Sequence, residues 1–118
     1  MYSNKRLDQV YLASGVTDLR KAIDGLSLIV LEKFKLDPFS KNLYVFCNRR
    51  RDKIKILEWD GSGFWLHYKR LEKERFRWPE NTPGTHMEVD ERAFRWLLDG
   101  LTIKERQAHK AVLERQII

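Results

Sequence analysis

Hydrophobic and polar positions alternate most sharply in the middle of the chain, where residues 54–59 (IKILEW) and 64–69 (FWLHYK) flank Asp60-Gly61-Ser62-Gly63. A period of two is the signature of a strand, and the Asp-Gly-Ser-Gly run supplies positive φ and side chain to backbone bonds where a chain reverses. The pattern predicts a β-hairpin closed symmetrically about Gly61 and Ser62. That register sets Trp59 opposite Phe64, Leu57 opposite Leu66 and Lys55 opposite Tyr68 on one face. On the other it sets Glu58 opposite Trp65, Ile56 opposite His67 and Ile54 opposite Lys69. A third strand, residues 43–47 (LYVFC), joins through the connection 48–53, with Cys47 near Ile54 and Val45 near Ile56. Both faces of this antiparallel meander are apolar. Leu43, Val45, Cys47, Ile54, Ile56 and Trp65 share one; Tyr44, Phe46, Leu57, Trp59, Phe64, Leu66 and Tyr68 share the other.

Helical periodicity appears on either side. Leu19, Ile23, Leu26, Val30 and Phe34 recur at spacings of three and four, which predicts an amphipathic helix lying on the sheet, capped by Thr17 or Asp18 and ended before Pro38. Ile23, Leu26 and Val30 are its expected buried stripe. Gly25 within it costs up to about 1 kcal/mol relative to alanine and marks either a close approach to a strand or a tolerated flaw. Residues 9–13 (QVYLA) read as a short additional strand, for a sheet of three or four antiparallel strands. Residues 71–77 alternate charge around Leu71 and Phe76, and a loop runs from Trp78-Pro79 to Gly84. Asp90 caps a second helix carrying Phe94, Leu97, Leu98 and Leu101, stopped by Gly100 and able to cover the second sheet face. Thr102 and Glu105 form a capping box for a third helix through Gln116 with a thin apolar face. The expected class is α+β: one domain over residues 1–101, made of a small antiparallel meander packed against an amphipathic helix, and a C-terminal helical extension over 102–118.

A chain of 118 residues buries a real core without disulfides or a structural metal. Cys47 is the sole cysteine, and on a predicted strand beside Phe46 it reads as a small buried hydrophobe. No apolar run reaches the length of a membrane span, and residues 1–8 lack the apolar core of a signal peptide, so a cytoplasmic location and no membrane partner are expected. The formal charge is +6 and uneven. Residues 48–78 hold ten Lys and Arg against five Asp and Glu, whereas the segments before and after stand at +2 and −1. The meander carries the excess.

Arg49, Arg50, Arg51 and Lys53 crowd the connection between the second and third strands of the chain, with Lys55, Lys69 and Arg70 on the flanking strands. Exposed cations so spaced can neutralise successive phosphates, each contact adding a salt-dependent increment of affinity. These seven are the expected nucleic-acid contacts, set against the plainer reading of a solvated turn. Tyr44, Trp59, Phe64 and Tyr68 could stack bases if their face were open, although aromatics on a meander are more often core. His67, His86 and His109 are far apart and outside metal-binding spacings, and no phosphate loop, nucleophile elbow or Cys-His pairing is present, so neither metal nor cofactor is expected. Asp18, Asp24, Asp52, Glu58 and Asp60 would be the acids of a metal-dependent nuclease. Each also has a structural reading: helix cap, helix face, turn, cross-strand partner of Lys69 or His67, and turn.

The runs VYLASGVTDLRKAIDGL (10–26), LDPF (36–39), LYVF (43–46), IKILEWDGSGFWLHYKRLE (54–72) and FRWP (76–79) together resemble the small accessory protein TnpB encoded by bacterial insertion sequences of the IS-sixty-six group. The likeness covers most of the chain up to Pro79. It implies a noncatalytic factor for DNA transposition, acting with DNA, with a separate transposase and with other proteins of the same element. An unrelated RNA-guided nuclease shares the label; it is several times longer and has a split acidic site, and this chain has neither feature. The alternatives to an accessory DNA-binding factor are the metal-dependent nuclease subunit and a pure protein-interaction adaptor.

Overall fold

The computed structural model describes residues 9–100, an α+β fold of five strands and two helices. The strands are β1 (Val10–Ala13), β2 (Leu43–Cys47), β3 (Lys53–Trp59), β4 (Phe64–Arg70) and β5 (His86–Val89), in the sheet order β4-β3-β2-β1-β5. The meander β2-β3-β4 has the register its alternation predicts, from Cys47 against Ile54 and Val45 against Ile56 through Trp59 against Phe64. Local chemistry sets it. Asp60 Oδ1 accepts from the Ser62 and Gly63 amides and the Ser62 hydroxyl, Gly61 takes φ +99°, and the Asp60 amide donates to the Gly63 carbonyl at 3.0 Å.

The other half of the sheet departs from expectation. β1 joins not as another antiparallel strand but parallel to β2, Val10 against Leu43, because the helix between them carries the chain back across the sheet before β2 begins. β5, which sequence did not single out, lies antiparallel to β1 and makes the count five. Its four residues, HMEV, are too short and too polar to declare a strand without β1 beside them.

The first helix is shorter than its apolar stripe. α1 spans Ile23–Leu28 and passes into a π-helical turn over Ile29–Lys33, with the Phe34 amide donating to the Ile29 carbonyl and Lys35 at φ +58° ending the run. Asp18 does not cap it: its carboxylate accepts from the Arg20 backbone amide and guanidinium, closing a separate turn over residues 18–21. Leu26, Val30 and Phe34 are buried, and Ile23 and Leu19 are partly so. Gly25 approaches no strand; a Cβ there would meet the Lys21 side chain at 3.1 Å. α2 (Glu91–Leu98) starts as its sequence specifies, Asp90 Oδ1 accepting from the Ala93 amide, and it stops at Gly100, φ +81°. Leu101 and the third helix expected through Gln116 lie outside the described residues.

Two apolar layers result. On one face α1 and the π turn cover Ala13, Tyr44, Phe46 and Leu57. On the other, Phe94 and Leu97 of α2 cover Leu12, Val45, Ile54 and Ile56 together with Phe76 and Trp78. Those two aromatics belong to a segment read as charged chain and loop, yet both are buried, the Trp78 indole donating to the Ala13 carbonyl at 3.0 Å. Cys47 is buried in this layer, and burial pushes its thiol up to about 12, as suits an inert hydrophobe. No described helix is long and apolar enough to cross a membrane.

Leu26 is fully buried whereas Leu28, two residues on, is half exposed. Leu26→Ala is expected to lower stability by about 2–5 kcal/mol and Leu28→Ala by less than about 0.5 kcal/mol in urea unfolding. Equal losses would refute the packing of α1 on the sheet.

Candidate nucleic-acid interface

The β2–β3 connection is built around Asn48. Its side-chain oxygen accepts from the Asp52 and Lys53 amides and its Nδ2 donates to the Asp52 carboxylate at 2.8 Å, which holds that carboxyl below the usual range. This knot leaves the side chains of Arg49 and Arg50 exposed at the tip, with no side-chain partner among the described residues. Arg51 differs. It takes φ +61°, its carbonyl accepts from the Phe76 amide at 2.7 Å, and its Nη1 donates to the Trp78 carbonyl at 2.9 Å and lies 3.6 Å from Glu80.

Other expected contacts are also committed. Lys55 Nζ donates to the Leu19 and Lys21 carbonyls at 2.6 and 3.1 Å, tying the approach to α1 onto β3. Lys69 Nζ donates to the Leu98 carbonyl at 2.7 Å, on the opposite face of the sheet, where a cation also suits the negative end of α2. Arg70 pairs with Glu72 at 2.7 Å on the surface. The structure therefore brings Lys53, Lys55 and Arg70 to one end of the α1 face, with Arg49 and Arg50 in the loop at that end, turns Lys69 away, and uses Arg51, Lys55 and Lys69 as clamps.

Between that end of β3–β4 and the turn over 18–20 lies an open cleft of about 530 Å³, lined by Asp18, Leu19, Arg20, Asn48, Lys53, Lys55 and Tyr68. Arg20 grips Asp18 at 2.7 Å and lowers its carboxyl to about 2. Sequence reasoning passed over Arg20 and Asn48. Asn48 had a signal, an amide side chain opening a turn that ends in Asp52; Arg20 had none, since only folding brings it to β3.

Of the four aromatics considered as a base platform, Tyr44 is buried, and Phe39 packs edge-on to Trp59 at 5.0 Å and against Phe64 at 5.3 Å. Tyr68, by contrast, is 55% exposed. Trp65 is equally exposed on the other face, stacked on His67 and fixed by its indole bond to Asp60 at 2.7 Å.

The five acids do not converge. Asp18 serves Arg20, Asp52 serves Asn48, Asp60 serves its turn, Glu58 is buried against His67 at 2.9 Å, and Asp24 lies in the first turn of α1. Among the described residues no group of three or more His, Cys, Asp or Glu could hold a metal ion.

The three clamps and the two free arginines should separate in a stability assay. Arg51→Ala, Lys55→Met and Lys69→Met are each expected to lose about 1–2 kcal/mol in chemical unfolding, because each removes a long-range bond from a charged donor to a part-buried carbonyl, while Arg49→Ala and Arg50→Ala stay within about 0.5 kcal/mol. The Asp60 carboxyl, lowered to about 2 by the Ser62 amide, then the Trp65 indole and the Gly63 amide, sits below its ordinary 3.8. Its contribution is thus complete above about pH 4 and lost as pH falls through 2. An NMR titration should give the Asp60 carboxyl and the Trp65 indole N–H a shared midpoint near 2; a midpoint near 3.8 would refute the turn geometry.

The chain is 35% identical over 99 residues to uncharacterized protein y4hO of Sinorhizobium fredii, covering 84% of this chain and 85% of that one. It is 33% identical over 94 residues to uncharacterized protein y4jC of the same organism, covering 79% of each. No solved structure matches it significantly. The family model described as IS66 Orf2 like protein (TnpB_IS66) matches residues 8–108, which takes in every described element of the fold, and the chain belongs to that family.

Proposed function

We propose that this protein is a noncatalytic accessory factor for DNA transposition by an insertion sequence, and that it binds DNA through Arg49, Arg50 and Lys53 while acting beside the transposase and other proteins of its element. The observation that carries the reading is the Asn48-knotted loop, which holds two uncommitted arginines at the tip of a rigid sheet end in a chain of the IS66 Orf2-like family. Such a loop meets a phosphate backbone without desolvating a charge in a core. Of the seven cations expected from sequence, Arg51, Lys55 and Lys69 are largely spent on carbonyls and Arg70 on Glu72, so the phosphate contacts fall to the other three first.

The dispersal of the five acids, each with a structural partner or position of its own, favours a factor without nuclease chemistry. The adaptor reading draws support from Trp65, an exposed indole held rigidly on the edge strand. The two are separated by a salt series. Fluorescence anisotropy on duplex DNA should give a logarithmic salt slope that falls by about 2–3 when Arg49, Arg50 and Lys53 all become alanine, at roughly 0.9 for each phosphate no longer neutralised, with an unchanged melting temperature. An unchanged slope with intact folding would leave the adaptor as the better account, and magnesium-dependent cleavage by the purified protein would overturn the noncatalytic one.

A further inference from the structure

The geometry points to the cleft beside Tyr68 as a seat for one unpaired nucleotide of a DNA strand, its base stacked on the Tyr68 ring and its phosphate held by Lys53, Lys55 and Arg20. This deepens the DNA-binding reading above and rests on it.

Size and composition fit. The cleft, at about 530 Å³, falls within the range of small-ligand sites, and its wall combines one open aromatic ring with three cations. Tyr68 stands directly across from Lys55 in the β3–β4 register, and Lys53 stands across from Arg70 one pair further along the same face. The ring, 55% exposed, therefore shares its cleft with two lysines and has no aromatic cover among the described residues, in contrast to Trp59 and Phe64 beneath Phe39.

One of the three cations is held by the fold before any ligand arrives, and Arg20 is oriented by a surface pair. Lys55 spends two of its three ammonium donors on the Leu19 and Lys21 carbonyls and keeps one. Arg20 spends Nε and Nη2 on Asp18 and leaves Nη1 uncommitted. Asp18, the one acid in the lining, is neutralised by that pairing, so the wall is net positive. Asn48 accepts from the Lys53 amide and so fixes the backbone from which the third ammonium extends.

A base inside a duplex offers its faces only to its neighbours in the stack, so Tyr68 can engage only a base that has left the helix. The cleft thus adds a preference for single-stranded DNA to the strand-blind phosphate contacts of Arg49 and Arg50, and it sorts DNA by whether its bases are paired.

The test compares a labelled oligodeoxythymidine, an abasic strand of the same length and a hairpin duplex, using anisotropy at one salt concentration. Tyr68→Ala is expected to weaken oligodeoxythymidine binding by roughly 5- to 150-fold, the range typical of removing one base–aromatic stack, and to change duplex and abasic-strand binding by less than about twofold. Tyr68→Phe should bind as wild type. An exposed ring can be removed without unfolding the sheet, and an unchanged melt confirms it. If Tyr68→Ala leaves oligodeoxythymidine binding intact while duplex binding keeps its dependence on Arg49, Arg50 and Lys53, the nucleotide seat is overturned and the DNA-binding reading stands. If wild type binds none of the three, both fall.

Discussion

A central strand with no polar position dictates this fold. All five residues of β2 are buried, Leu43, Val45 and Cys47 toward one side and Tyr44 and Phe46 toward the other. Water cannot be left on either face of such a strand, so the chain must supply a cover for each. α1 with its π turn is one cover. The other is composite: α2 together with the returning segment that carries Phe76 and Trp78. The parallel β1–β2 pair is a consequence, because covering the first face with a helix between β1 and β2 takes the chain back to its starting edge.

The covers are fastened as well as packed. Three long-range bonds, each from a cation to a backbone carbonyl, tie the peripheral pieces to the meander: Lys55 holds the approach to α1, Lys69 the last turn of α2, and Arg51 the segment at Trp78. In each case the donor reaches a carbonyl outside the sheet ladder, so part of the Lys and Arg of the meander serves the fold. Of the cations read from sequence as phosphate contacts, three are thus committed to the fold, and Arg49, Arg50 and Lys53 are left without such carbonyl bonds among the described residues.

That division changes the meaning of the candidate surface. A basic pI alone describes attraction to any polyanion. Among the cations read from sequence as phosphate contacts, the clamps leave Arg49, Arg50 and Lys53 uncommitted, at the sheet end that also carries Tyr68, the single open aromatic among Tyr44, Trp59, Phe64 and Tyr68, and bonds through Asn48, Asp52 and the turn over 18–21 order that end. Rigidity limits the entropy lost when a strand is bound.

The sequence by itself determined what neighbouring residues can decide between them. Alternation and the Asp-Gly-Ser-Gly turn specified the register of β2, β3 and β4, the caps of α2 and the inert burial of Cys47, and narrowed Glu58 to Lys69 or His67, of which the fold takes His67, since each depends on contacts reached through a short turn or on composition. Tertiary structure alone decided the rest. The parallel sense of β1, the existence of β5, the burial of Phe76 and Trp78, and the late start of α1 after an Asp18–Arg20 turn all depend on partners distant in the chain. The same holds for the candidate site. The cluster of cations was legible as a run of letters, but whether a given lysine faces a phosphate or a carbonyl depends on which backbone groups the fold leaves unpaired nearby, a quantity that exists only once distant segments have met.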